Sequence, residues 1–289
     1  MRRRLKAQVT TENSVNICNS YDIIGDIAVI KTLNGDVETA KKVADEIMKL
    51  YSKKIKAVFM QISAVQGDFR VRQLSFLAGE NRTVTLYKEH GCLFRVDIER
   101  CYLSPRLLFE HKRIPALVMP DEVVVNMFSG VGCFSVLIAK TSGSKVYSID
   151  VNPTAYEYMK ENVRLNGVSN CVIPLLGDSK EIINSQLQGI ADRVLMPLPE
   201  LAFEYLPYAL LALKSTGGWI HFFDFQHAAK GENPIEKTRQ KVAEHLDALG
   251  ICYSFGFSRV IRSVGPYWYQ TVLDIYVSVR QASFYSNRL

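Results

Sequence analysis

At 289 residues, with 48% apolar and 22% charged side chains, the chain has the make-up of a globular protein able to bury a sizeable core in one or two domains. No apolar run reaches the length of a membrane span. The basic start Met1-Arg2-Arg3-Arg4-Leu5-Lys6 has no apolar stretch behind it, so neither membrane insertion nor a secretory signal is expected. The net charge of +6 is uneven: 20 basic residues stand against 13 acidic through Arg113, and 15 against 16 thereafter. A basic first third suits a module that binds a polyanion, joined to a roughly neutral domain. The six cysteines, Cys18, Cys92, Cys101, Cys133, Cys171 and Cys252, form no CxxC pair and have no metal-ligand spacing. They read as small buried thiols in a reducing compartment. The five histidines form no ligand set either, and no metal is expected; His221 and His245 read as structural.

In chain order, residues 1–14 read as a basic tail. Residues 15–113 read as a small α/β unit: a strand at Ile27–Ile30, an amphipathic helix from Gly35 to Ser52 with Val37, Ala40, Val43, Ala44, Ile47 and Leu50 on one face, and strands near 57–62, 84–87 and 94–97. Ser104-Pro105-Arg106 opens a helix that runs to about Arg113, with Ser104 as the candidate N-cap. From residue 114 strand and helix alternate. Val123–Phe128 is a continuous apolar run, as expected of a buried parallel strand. Further strands are expected at 145–150, 171–175, 192–196 and 218–223, with helices at 134–139, 153–166, 201–213 and 234–249 between and after them. This pattern predicts a doubly wound, Rossmann-like sheet over 114–289. Two closing strands, near 256–261 and 271–279, read as an antiparallel pair, an ending that resembles class I methyltransferases more than nucleotide dehydrogenases.

Open α/β sheets bind ligands at the carboxyl ends of their strands, where strand order reverses. Three candidates fall there. The loop Phe128-Ser129-Gly130-Val131-Gly132 lets backbone approach a ligand closely. Asp150 follows the second strand and is placed for ribose hydroxyls; Asp178 follows the third and is placed for an adenine amino group. The loop lacks the third glycine of a dinucleotide fingerprint. S-adenosylmethionine (AdoMet), which has no phosphate, suits such a loop.

The segments Gly67-Asp68-Phe69-Arg70-Val71-Arg72, Ser104-Pro105-Arg106 with Glu110, Asn126–Gly132, Asp150-Val151-Asn152-Pro153 and Asp192-Arg193-Val194-Leu195-Met196-Pro197-Leu198-Pro199 together carry a resemblance. Through them the chain after the tail resembles the archaeal and eukaryotic tRNA (guanine37-N1)-methyltransferase family, which includes enzymes of wyosine-base synthesis. The resemblance implies a small tRNA-binding domain followed by a class I methyltransferase domain, with AdoMet as cofactor and the purine at tRNA position 37 as target. It also implies roles. Arg106, Phe128, Gly130, Gly132, Asp150, Val151 and Asp178 would contact the cofactor. Glu110 would be the general base, Arg70 would stabilise charge on the target base, and Pro197 would wall its pocket. For Glu110 the alternative is a surface carboxylate paired with Arg113 three residues on. For Arg70 the alternative is a phosphate contact or a solvated charge; Arg72, Arg82, Lys88 and Arg95 read as phosphate contacts, and Tyr267-Trp268-Tyr269 as a hairpin tip or core lid, with base stacking the alternative.

Two departures matter. Many members carry a further N-terminal domain that senses the tRNA elbow, which this chain is expected to lack. Members commonly have Asn-Leu-Pro where this chain has Pro197-Leu198-Pro199, and proline has no amide to offer a base. Pro197 resembles paralogues of which some methylate both guanosine and the tricyclic wyosine precursor, 4-demethylwyosine. The competing functions are an AdoMet-dependent aminocarboxypropyl transferase of the same fold and a non-catalytic tRNA-binding protein. The expected setting is a cytoplasmic monomer.

Overall fold

The computed structural model describes residues 21–31, 37–63, 69 and 71–278. The first sheet has four strands in the order β1 (Tyr21–Ile24), β2 (Ile27–Lys31), β3 (Ala57–Gln61), β4 (Leu74–Gly79), and helix α1 (Val37–Tyr51) lies against it. Helix α1 buries Ala40, Val43, Ala44 and Ile47, the face that its 3.6-residue periodicity predicts. Strands β1 and β4 escape the sequence pattern. β1 carries Asp22 in its middle, and most of β4 is half-exposed, so what makes each a strand is pairing with β2 and β3.

A hairpin of β5 (Val84–Glu89) and β6 (Cys92–Asp97) follows. The chain then enters α2 (Leu108–Arg113) through a 3-10 turn at Pro105–Leu107. Here the structure corrects the capping expectation: Ser104 has extended backbone but makes no capping side-chain hydrogen bond. Pro105, with its φ already near helical values, is what begins the turn.

The large sheet has seven strands in the order β12-β13-β11-β10-β7-β8-β9. β7 (Val123–Asn126) is central, with β8 (Lys145–Asp150) and β9 (Val172–Leu176) to one side and β10 (Arg193–Met196) and β11 (Gly218–His227) to the other, all parallel. β12 (Tyr253–Gly265) and β13 (Trp268–Val277) complete it, and β13 runs antiparallel between β11 and β12. Their tip is Pro266-Tyr267, flanked by Trp268, as expected. The crossovers are α3 (Cys133–Ser142), α4 (Pro153–Leu165), the short α5 (Ser179–Ile182), α6 (Ala202–Ala212) and α7 (Pro234–Ala248). Asn152 caps α4 by accepting from the backbone N–H groups of Thr154 and Ala155. Strand order reverses between β7 and β10, so the carboxyl ends of β7, β8, β9 and β10 form the crevice where a ligand is expected. No helix among the described residues is long and apolar enough to cross a membrane.

One face of the large sheet and the small unit share a continuous core that includes Ile24, Val29, Phe94, Phe134 and Phe223. Asn162 of α4, fully buried, fixes the two parts together. Its Oδ1 accepts from Arg95 N–H at 2.7 Å, and its Nδ2 donates to the carbonyls of Arg95 and Val131 at 3.0 and 2.9 Å. One amide thus satisfies strand β6 and the glycine loop together, and replacing it would leave three buried backbone groups unpaired.

Candidate active site

The crevice opens into a cavity of about 420 Å³, within the range of cofactor sites. Phe128, Gly130, Asp150, Val151, Asp178 and Pro197 all line it. The loop after β7 gives it its floor. Gly130 and Gly132 have φ of 55° and 90°, the left-handed region that side chains with a Cβ rarely adopt. A Cβ at Gly132 would also press on Met159 of α4 at 3.1 Å. These glycines therefore shape the turn that brings backbone to the cavity, although Gly132 itself does not line it.

Asp150 is held by its own loop. Its Oδ2 accepts from Gly130 N–H at 2.6 Å and its Oδ1 from Asn152 N–H at 2.9 Å. Burial nevertheless raises its carboxyl above the usual range, and those two bonds only partly offset it. Each oxygen keeps lone-pair capacity for the paired hydroxyls of a ribose. Asp178 caps α5 through Lys180 N–H, and both its oxygens lie 2.9 Å from the Tyr205 hydroxyl. Tyr205 stacks edge-on against Phe128, with ring centroids 5.2 Å apart, so ring and carboxylate form one apolar slot with a polar end. Tyr205 carries no motif signal in the sequence; only the packing of α6 across the crevice brings it here.

The charges along the wall decide which cofactor fits. Among the described residues lining the cavity are Asp150, Asp178 and Glu204, and no Lys or Arg. A pyrophosphate would find no countercharge, whereas a sulfonium nucleoside with an amino-acid end fits.

Besides Gly132, Arg106 and Glu110 do not line the cavity. Arg70 falls outside the described residues. Arg106 does not line the cavity; its guanidinium faces the small unit and pairs with Asp22 at 3.2 Å. Lys31 pairs with the same carboxylate at 3.8 Å, Arg72 lies near it, and Arg262 of β12 lies near Lys31, so four cations gather where the small unit meets β12. Of the other expected phosphate contacts, Arg82 is tied to Asp26 and Glu80, and Arg95 to Glu161.

Glu110 is not among the cavity-lining residues but sits just outside the wall, one residue before His111, which is part of it. It does pair with Arg113, at 2.8 Å, yet at 1% exposure it is no surface carboxylate. Arg113 in turn holds both oxygens of Asp274. Asp274 Oδ1 lies 2.6 Å from His221 Nδ1, and His221 Nε2 lies 2.8 Å from Arg193 Nη1. Arg193 completes the chain with Glu122 at 2.7 and 2.9 Å. An arginine only donates, so His221 Nε2 must accept and the proton sits on Nδ1, facing Asp274. Burial likewise lowers the pKa of His221, which keeps the ring neutral. The opposite oxygen of Glu110, Oε1, is buried without a hydrogen bond, 3.8 Å from Arg259 Nε, and Arg259 lies over the exposed ring of Phe109. Burial raises the Glu110 carboxyl above its ordinary value, against the pull of Arg113 and Arg259. Arg113, Asp274 and His221 were not legible as site residues, because α2, β13 and β11 meet only in the fold.

Residues 85–249 match the TRM5/TYW2 methyltransferase domain, and residues 1–83 match the TYW2 N-terminal domain. The chain is 38% identical over 259 residues to tRNA (guanine(37)-N(1))-methyltransferase Trm5b of Pyrococcus abyssi, covering 90% of this chain and 75% of that one. The crystal structure of that Trm5b superposes with a TM-score of 0.79 at 37% identity over the same shares. It is 37% identical over 266 residues to tRNA 4-demethylwyosine(37)-methyltransferase Taw21 of Saccharolobus solfataricus, covering 91% of this chain and 96% of that one. A crystal structure of M. jannaschii TYW2 in complex with AdoMet is also similar, with a TM-score of 0.67 and 27% identity over 90% of this chain and 100% of that one. A seven-stranded sheet with an antiparallel closing pair, two acids at successive strand ends of a cavity whose described lining holds no Lys or Arg, and matches of this extent place the chain in the TRM5/TYW2 family of AdoMet-dependent methyltransferases.

Proposed function

We propose that this protein methylates N1 of guanosine 37 in tRNA, with AdoMet bound between Asp150, Asp178, Val151, Phe128 and the backbone at Gly130. The observation that carries this reading is the state of Glu110: a buried carboxylate with one oxygen clamped by Arg113 and the other free of hydrogen bonds. Guanine N1 bears a proton and is a poor nucleophile until that proton leaves. A carboxylate whose basicity is raised by burial, with an open lone pair, is suited to take it. A base entering beside β12 would reach Glu110 Oε1 by displacing Arg259 from its place over Phe109. AdoMet, when bound, supplies the methyl group and a leaving thioether. Arg70, on the segment that carries the family resemblance, would offset the negative charge that develops on the base oxygen. Pro197 forms the wall behind the base.

The cation cluster of Lys31, Arg72, Arg106 and Arg262 would take the RNA backbone. We read the protein as a monomer at work in the cytoplasm, where tRNA is modified.

A second substrate is favoured by Pro197. With no N–H at that position the wall imposes no directional contact on the base edge, so 4-demethylwyosine, the substrate in the name of the Taw21 relative, would be accepted as well. The test is mass analysis of nucleosides from tRNA bearing guanosine 37 after incubation with protein and AdoMet. A gain of one methyl on that guanosine supports the reading. An unmodified guanosine, with the tricyclic precursor tried in parallel, would replace it by a wyosine-specific methylase or an aminocarboxypropyl transferase, told apart by the added mass.

A further inference from the structure

The cavity has a polar feature that the reading above leaves unused. Glu89, at the end of β5, is 3% exposed, and His111 of α2 is 4% exposed. His111 Nδ1 lies 2.7 Å from Glu89 Oε1. An ionised carboxylate only accepts, so Nδ1 donates to Glu89, and the ring in its neutral form presents a lone pair at Nε2. Among the described residues the ring hydrogen-bonds to Glu89 alone, and it forms part of the cavity wall, packed edge-on against Phe134 with centroids 4.4 Å apart. His90 also lies 3.6 Å from the same oxygen of Glu89, but its Nε2 is bonded to the Leu108 carbonyl.

A buried pair of this kind is weak evidence of a stabilising role, since apolar residues of the same volume commonly match or exceed it. Beside the Tyr87 hydroxyl, the surroundings, Phe134, Cys133 and Cys92, are such residues.

Its place in the sheet is informative. Asp150 and Asp178 follow β8 and β9, on one side of β7. Phe134, on which His111 rests, packs on Phe223 of β11, on the other side of β7. A nucleoside seated at Asp150 and Asp178 therefore sends its 5′ substituent across the glycine loop towards His111. That end of the cavity offers an acceptor backed by a carboxylate, and no cation among its described residues.

We propose that the Glu89–His111 pair anchors the α-ammonium group at the amino-acid end of AdoMet, with His111 Nε2 accepting one of its hydrogens and Glu89 supplying the charge behind it. This rests on the placement of the adenosine at Asp150 and Asp178.

The test is calorimetric binding of two probes, S-adenosylhomocysteine, which keeps the amino-acid end, and 5′-methylthioadenosine, which lacks it. His111→Leu and the isosteric Glu89→Gln should each weaken S-adenosylhomocysteine about tenfold or more and leave 5′-methylthioadenosine unchanged. Equal weakening of both probes by Glu89→Gln, or no change in either, overturns the anchor. Unchanged affinity for both with a fall in methyl transfer overturns it in favour of a role at the nucleobase. If the unaltered protein binds neither probe, or Asp178→Ala leaves 5′-methylthioadenosine affinity intact, the cofactor placement itself falls, and the anchor with it.

Discussion

Arg113 donates from Nη1 and Nη2 to the two oxygens of Asp274, at 2.5 and 3.0 Å, and so ties the closing strand of the sheet to the helix that carries Glu110. The same guanidinium reaches Glu110 through Nε, so the orientation of Glu110 depends on a residue 164 positions later in sequence.

Asp274 sits at about pKa 2: burial pushes it up, but the hydrogen bonds from His221 and Arg113 and the charge of Arg113 outweigh that. A carboxyl depressed in the folded state contributes stability above its unfolded pKa of about 4, and that contribution is lost as pH falls through about 2. Asp274→Asn should therefore cost about 2–3 kcal/mol at pH 7, by urea denaturation, with the gap to the unaltered protein narrowing between pH 4 and 2. A gap that stays constant down to pH 2 would show that the ionic bonds of Asp274 do not set it.

Asp224 of β11 behaves in the opposite sense. It is 5% exposed, its Oδ2 has no hydrogen bond, and burial pushes it up to about 6 despite the pull of Lys241 and the Phe225 N–H. A raised carboxyl favours the fold below its unfolded pKa, and that advantage is lost as pH rises through about 6. Asp224→Asn should stabilise the protein by about 2 kcal/mol at pH 8 and by little at pH 4. Equal effects at both pH values would contradict the assignment.

Glu110→Gln should lower single-turnover methyl transfer to guanosine by about a hundredfold or more while leaving S-adenosylhomocysteine affinity unchanged. Because burial raises the Glu110 carboxyl, the rate in the unaltered protein should climb with pH beyond the ordinary carboxylate range before levelling, and this limb should vanish in the variant. Full activity in the variant would remove Glu110 from the role of base.

Asp178→Ala removes an acceptor whose two oxygens are otherwise held by Tyr205. Loss of a charged hydrogen bond to the cofactor should raise the dissociation constant for S-adenosylhomocysteine about ten- to a hundredfold, read by calorimetry. An unaltered constant would mean that the adenine lies elsewhere in the cavity.

Lys31→Ala and Arg262→Ala each remove one cation of the cluster between the small unit and β12. Each should lower the slope of log affinity for tRNA against log salt by about one, without affecting cofactor binding. An unchanged slope in both variants would place the RNA backbone on another surface.

Much of the catalytic domain was legible in the sequence because its signals are local. The run Val123–Asn126, the acids Asp150 and Asp178 at strand ends, and the glycines at 130 and 132 each report a constraint felt within a few residues: burial on both faces, a strand terminus, a left-handed turn. The fold class follows from their alternation. What the tertiary structure alone decided is which side chains meet. Arg106 reads like a cofactor contact, yet it turns to Asp22, because β1, a strand with no strong pattern of its own, lies beside it. Glu110 and Arg113 are three apart on one helix turn and were legible as a pair. That the pair is buried, joined to Asp274 and through it to His221 and Arg193, depends on β11 and β13 closing the sheet. His111 shows the same limit: its partner Glu89 is brought to it by the β5–β6 hairpin, which Asn162 and Asn166 hold against α4. Local sequence sets backbone preference within a turn or strand, whereas the partners of a buried charge are chosen by long-range packing, where desolvation leaves it stable only beside a countercharge or hydrogen bond.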